Sequence, residues 1–293
     1  MRRSCRCGKG IMSTLLEPFD YGFFRHAILV ATLAGALCGL IGVYVVLRGM
    51  SYIGHGLSHA IFGGAVASYV VGVNVIVGAG VWAFVSALMI NKVARRRTIG
   101  ADAAIGTITT ASFAVGLILV STYRSFVVNF DALLFGNVLG VTQADVWLVA
   151  GVGMFAGVVV FLGYRQLLFS TFDPEVAEVS GVNTGRADML LAITLAAILA
   201  STMNVLGVTL IAAVLVIPPV TARLLTDSFS RMLWISVGVG TVCGFAGVYL
   251  SYYLDWASGP AVVVTAAAVF AVAYVVSSFR RRLPAAAADA HVG

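Results

Sequence analysis

From about residue 19 onward the chain is a series of long apolar stretches parted by short polar ones. Ala103–Val120 and Val146–Gly163 contain no charged residue at all. A helix needs about 20 predominantly apolar residues to cross the hydrocarbon core of a bilayer. Inside that core the backbone must satisfy its own hydrogen bonds, so a crossing segment is either a helix or part of a closed barrel. Barrel strands are about ten residues long and alternate in polarity; these stretches are longer and do not alternate. The pattern predicts helical spans at about 27–47, 51–72, 75–91, 103–121, 145–163, 189–204, 205–222, 232–253 and 260–278. The adjoining pair 189–204 and 205–222 also reads as one span followed by a re-entrant piece, so the total is eight or nine. The fold class is therefore all-α, a polytopic membrane helical bundle. Its parts are an N-terminal tail over residues 1–25, a transmembrane domain over 26–279 and a cytoplasmic C-terminal tail over 280–293.

Charge orients the bundle. Lys and Arg gather in patches beside the spans, at Lys92 to Arg97, at Arg223 with Arg231, and at Arg280 to Arg282. Such patches mark cytoplasmic loops. With these and Tyr164–Asp188 placed in the cytoplasm, the crossings agree from residue 92 to the C-terminus only if both 189–204 and 205–222 cross. Arg48 and Gly49 then face the cytoplasm and the N-terminus lies outside. The basic tail Arg2, Arg3, Arg6 and Lys9 conflicts with that placement. Two resolutions stay open: an interfacial helix over 14–25, or translation from Met12. Glu17, Pro18 and Asp20 interrupt any apolar core of a cleavable signal peptide.

Composition agrees with the pattern. Sixty per cent of the residues are hydrophobic and 10% charged, against roughly 25% charged in ordinary globular domains. The net charge of +6 does not point to nucleic acid, because the basic residues flank lipid-embedded spans and form no basic face on a polar module. The surrounding partner is membrane lipid. Of the four cysteines, Cys38 and Cys243 lie within apolar spans as small hydrophobes. Cys5 and Cys7 form a C-x-C pair in the tail, too few thiolates for a metal site.

Two loops depart from plain connectors. Phe172–Asp188 reads F-D-P-E-V-A-E-V-S-G-V-N-T-G-R-A-D. Asp173 before Pro174 signals a helix start, with Glu175 in the first turn. Gly181 suits a C-terminal cap. The loop is expected to hold a short cytoplasmic helix, a natural docking element for a cytosolic partner. Phe130–Thr142 is apolar but too short to span, and reads as a surface or re-entrant helix on the outer side. Glycines within spans, such as Gly35, Gly39 and Gly42 or Gly63 and Gly64, mark faces where helices approach closely. Pro218 and Pro219 predict a kink.

Chemistry concentrates in S-Y-I-G-H-G-L-S-H-A at the start of the second span. His55 and His59 stand four residues apart, so both imidazoles share one helix face. Two neutral imidazoles so placed can grip a divalent cation, or make unrelated hydrogen bonds at the membrane interface. A zinc protease would need a Glu after the first His; here Gly56 follows. Ser58 neighbours a histidine, but no third group is evident to orient a triad. No phosphate-binding G-x-x-x-x-G-K-[ST] loop occurs. The chain then uses an ion gradient, conducts passively, or borrows an ATPase. Gradient-driven carriers place carboxylates within spans, and the mid-span regions here are nearly free of them, with Asp102 at a span edge and Asp255 in a loop. The helix beginning at Asp173 favours a borrowed ATPase, with a gradient-driven metal carrier or channel as the alternative.

In order along the chain stand V-L-R-G-M-S-Y-I-G-H-G-L-S-H-A, D-A-A-I-G, L-F-G-N-V-L-G-V, F-D-P-E-V-A and L-G-V-T-L-I-A-A-V-L-V-I-P-P-V-T-A-R-L-L. Together they resemble the permease subunit of bacterial metal-ion ABC importers of the manganese/zinc/iron group, over nearly the whole chain from about Pro18 to Ser278. The resemblance implies the permease fold of type II importers, the vitamin-B12 and metal type. It implies two permease copies around a central pathway, two cytosolic ABC ATPases beneath them and an extracytoplasmic metal-binding protein. The permease itself would hydrolyse no ATP and hold no permanent cofactor; its cargo would be a divalent metal ion, zinc or manganese, with iron as a further member of the group. It would reside in the bacterial cytoplasmic membrane. Asp173, Pro174, Glu175, Ala177 and Gly181 would form the coupling loop that docks on the ATPase. The family's second-span motif usually reads G-D-x-x-x-H, and its two polar positions fall on His55 and His59. The Asp is thus replaced by His55, and a two-imidazole pair leans towards zinc, cobalt or nickel.

Overall fold

The structure of the chain, a computed structural model, describes residues 17–94, 101–123, 134–137 and 140–289; for 94, 101, 102, 204 and 280–289 it describes the backbone alone. After a 3-10 turn at Glu17–Asp20 come α1 (Gly22–Leu47), α2 (Ser51–Val71), α3 (Val75–Ala94), α4 (Ala101–Thr122) and α5 (Gln143–Leu162). Two short helices follow, α6 (Tyr164–Phe172) and α7 (Pro174–Val179). The chain then returns through α8 (Thr184–Leu206), α9 (Ile211–Leu225), α10 (Phe229–Leu254) and α11 (Ser258–Asp289). No strand occurs among the described residues.

Seven of these helices, α1, α3, α4, α5, α8, α10 and α11, are long and apolar enough to cross a bilayer. At 21 residues α2 has the length too, but His55 and His59 lower its hydropathy. The uncertain pair resolves into two separate helices, α8 and α9. At 15 residues and about 1.5 Å of rise per residue, α9 is shorter than the hydrocarbon core. It crosses nonetheless. Ser258, at the start of α11, donates to the carbonyl of Val205 in the last turn of α8, and Ser277, near the end of the apolar part of α11, donates to the carbonyl of Leu224 at the end of α9. So α9 runs alongside the apolar Ser258–Phe279 part of α11, which is itself long enough to span. The missing length is filled from outside. Thr209 donates its hydroxyl and its backbone N–H to the carbonyl of Leu134, at 2.7 and 3.3 Å. Gly207 (φ +78°) sits so close to residues 134–136 that a Cβ there would meet backbone atoms. The rest of the outer segment, 124–133 and 138–139, lies outside the described residues, as do Cys5, Cys7 and residues 95–100. The first span begins at Gly22, more than a turn earlier than its apolar pattern suggested, and α11 continues helically to Asp289, into the stretch read as the C-terminal tail.

Lipid offers apolar groups no reason to prefer one another, so membrane helices associate through close packing of small residues. The glycines do this as their positions suggest. A Cβ on Gly35 would lie 2.1 Å from the carbonyl oxygen of Gly240, and one on Gly39 2.5 Å from that of Ser236, whose hydroxyl donates to the Gly39 carbonyl. These contacts fuse α1 to α10. Gly42 meets the Leu215 carbonyl of α9 in the same way. That carbonyl is one turn before Pro219, which has no N–H to offer it. The proline frees the carbonyl and the glycine leaves room for it, so α9 stays one continuous helix with Pro218 and Pro219 inside. On the other side of the bundle α2 rests on α4 at Gly56 and Gly63, and on α3 at Gly64, against Trp82.

Candidate functional site

Met50 ends the turn after α1, and α2 carries His55 in its second turn and His59 one turn later. Helical spacing brings the two rings together: their centroids lie 4.6 Å apart and their Nε2 atoms 3.1 Å apart. His55 is exposed and His59 half-buried. The ring of His59 also packs edge-on against Phe113 of α4, at 4.8 Å. Gly56 lets α4 approach, so Gly106, Thr109 and Thr110 form the facing wall of an open groove of about 380 Å³. At 3.1 Å the two Nε2 atoms are within hydrogen-bond distance, the donor being set by the tautomer, and a cation held by both nitrogens would take the place of that bond. The Nδ1 atom of His59 is buried and has no hydrogen-bond partner among the described residues. Ser58 is fully buried and donates to the His55 carbonyl at 2.7 Å, so its hydroxyl proton points into the helix and not at an imidazole. Among the described residues no group of three or more His, Cys, Asp or Glu side chains converges to hold a metal. Among the described residues the groove thus offers the two imidazoles of His55 and His59 side by side, with no third such side chain joining them.

The second region is α7. Asp173 accepts a hydrogen bond from the Val176 N–H at 3.0 Å and caps the helix, with Pro174 in its first turn. At the other end the Gly181 N–H reaches the Glu178 carbonyl and the Val182 N–H the Ala177 carbonyl, the double closure of a Schellman cap. That cap requires the φ of +82° found at Gly181. Ala177 is buried against the bundle, whereas Val179 is 91% exposed. Thr184 Oγ1 donates to Glu178 Oε1 at 2.6 Å and ties α7 to the start of α8. Asp145, in the first turn of α5, closes that helix's capping box with Thr142.

Between the two regions lies Arg48, a residue with no role on spacing alone. It pairs through Nη1 with Asp188 Oδ1 at 2.5 Å, and donates through Nη2 to Ser170 Oγ at 2.8 Å and through Nε to Thr171 Oγ1 at 3.1 Å. Its partners lie more than a hundred positions away, beyond any local pattern; the hint in the sequence was an arginine at a span end inside a motif.

This geometry, a bundle of crossing helices with a capped helix at one end and an imidazole pair at a groove, can be set beside known proteins. The pattern described as "ABC 3 transport family" matches residues 20–277. The chain belongs to that family. The manganese transport system membrane protein MntC of Halalkalibacterium halodurans is 36% identical over 270 residues, covering 91% of this chain and 92% of that protein. The chelated iron transport system membrane protein YfeC of Yersinia pestis is 34% identical over 264 residues, 90% of each chain. Among solved structures, PsaBC from Streptococcus pneumoniae in complex with Fab superposes with a TM-score of 0.80 at 29% identity, covering 90% of this chain and 95% of that one. The fold class and the family read from the five motifs thus hold, and this member of the ABC 3 transport family is a multi-pass membrane protein.

Proposed function

We propose that this chain is the transmembrane subunit of an ATP-driven importer that moves a divalent transition metal across a bacterial cytoplasmic membrane. The observation that carries the proposal is the imidazole pair, two nitrogens 3.1 Å apart on an open helix face. An ion about 2.1 Å from both nitrogens would see them at an angle of about 95°, between octahedral and tetrahedral values. His55 and His59 would bind the ion in transit, and a second copy of the chain, supplying its own pair, would complete the site in a homodimer. The relatives' names speak of manganese and chelated iron. The imidazole at position 55 leans towards zinc, because it removes the negative charge that favours manganese.

The energy would come from a separate cytosolic ATPase docked on Asp173, Pro174, Glu175, Ala177 and Gly181. The doubly capped α7, with Val179 and half of Val176 presented outward, supports that role. An extracytoplasmic binding protein would deliver the metal to the opposite face. The chain itself would neither hydrolyse ATP nor keep a resident cofactor.

Uptake of radioactive zinc and manganese by cells expressing the chain with its ATPase and binding protein tests this reading. His59→Ala is expected to lower uptake at least about tenfold. His55→Asp is expected to shift the zinc-to-manganese ratio towards manganese. Uptake that persists without the ATPase would instead establish a gradient-driven carrier.

A further inference from the structure

Arg48 stands at the joint between α1 and α2. Helix α1 ends at Leu47, Gly49 turns the chain with φ +69°, and α2 starts at Ser51. The arginine side chain is only 8% exposed, and each nitrogen of its fork has a partner. Ser170 and Thr171 close α6, and Asp188 lies near the start of α8. The guanidinium therefore grips both elements between which α7 is suspended. The serine and threonine hydroxyls donate in turn to the Leu167 carbonyl, so their oxygens face Arg48 as acceptors. A planar fork of this kind fixes direction as well as distance, which a point charge does not.

Beside the joint, against Arg48 and Asp188, there is room to move. A cavity of about 220 Å³ opens between Arg48, Ile53, Ala87, Ile90, Ile105 and Leu191. Protein interiors are otherwise packed almost without voids. The first turn of α2, directly before His55, thus borders a void beneath Ile53, hangs from a glycine swivel, and is tethered through Arg48 to the supports of α7.

We propose that Arg48 is a positioning residue that carries displacement of α7 to the histidine-bearing turn of α2. The inference rests on the reading of α7 as the ATPase-docking element and of the histidines as the cargo site. Movement of α7 shifts the end of α6 and the start of α8 together. Arg48 follows both, Gly49 absorbs the rotation, and the α2 turn tilts into the cavity, changing what His55 and His59 face. Transmission between the two sites needs an element with two discrete arrangements, and the space beside α2 leaves room for a second.

The test uses the whole importer, reconstituted in liposomes, with ATP hydrolysis and zinc uptake measured on the same preparation. Wild type is compared with Arg48→Lys and Arg48→Met. Both variants are expected to hydrolyse ATP at the wild-type rate while zinc moved per ATP falls at least about fivefold, the lower end of ordinary site-to-site coupling. Lysine keeps a charge for Asp188 but cannot hold Ser170 and Thr171 at once, so it is not expected to rescue. An unchanged ratio in Arg48→Lys overturns the proposal. So does a parallel loss of hydrolysis and uptake that tracks the amount of assembled complex. If Arg48→Met fails to assemble, Arg48→Lys decides by the same ratio, and failure of both assigns Arg48 to folding alone. Glu175→Lys separates the premise from the inference: ATPase that stays bound and active on that variant, with uptake intact, defeats the docking role of α7 whatever Arg48 does.

Discussion

Single atoms decide much of this molecule, and its glycines show how unequally. Gly35 faces the backbone of Gly240, so a methyl there would overlap a carbonyl that has no side-chain freedom to retreat. A methyl on Gly151, in α5, would have nothing within 4 Å and would point into open space. Gly35→Ala should therefore destabilise the protein by about 1–3 kcal/mol, the usual cost of overpacking. Gly151→Ala should leave stability unchanged or slightly raised, since alanine is the better helix former. Thermal unfolding in detergent micelles checks the pair, and equal effects at the two positions would contradict the packing account. Gly35 and its neighbours were legible as a contact face from spacing alone. The match of Gly42 to the carbonyl freed by Pro219 was not, because the two residues lie far apart in the chain and each has an ordinary local explanation.

At the scale of elements, α7 was legible in full because its signals are local: a cap, a proline and a glycine within nine positions of sequence. Its stability is correspondingly simple to disturb. Asp173→Ala removes the bond to the Val176 N–H and should cost the helix about 1 kcal/mol. Gly181→Val places a branched side chain at φ +82°, a conformation such residues rarely adopt. Both changes are expected to reduce recovery of the ATPase with the purified permease, Gly181→Val the more severely, while the permease still inserts and folds. Recovery at the wild-type level in both would show that the ATPase does not read the shape of α7. The boundary between α8 and α9 was poorly legible for the opposite reason. The turn over Gly207 is itself apolar and is covered by Leu134 to Gly136, so hydropathy does not fall where the chain reverses. A turn that meets protein in place of water has no need of polar residues.

For the whole molecule the number of crossings has a consequence that can be measured. Val179 lies just before α8 and is largely exposed, and Trp256 lies just after α10 and is about half exposed. If α8, α9 and α10 all cross, three passages separate the two residues and they emerge on opposite faces. If α9 only dips in and returns, two passages separate them and they share a face. The hydrogen bonds from α11 to Val205 and to Leu224 require the first arrangement. Val179→Cys and Trp256→Cys, each in a chain with Cys5 and Cys7 replaced by serine, report it directly; Cys38 and Cys243 are buried and stay. A thiol reagent that cannot pass the cytoplasmic membrane should label Trp256→Cys in intact cells and Val179→Cys only after the membrane is opened. Labelling of both from the same side would remove α9 from the set of crossings. It would also undo the orientation on which the docking face of α7 depends, because a helix that meets a cytosolic ATPase must lie on the side where ATP is.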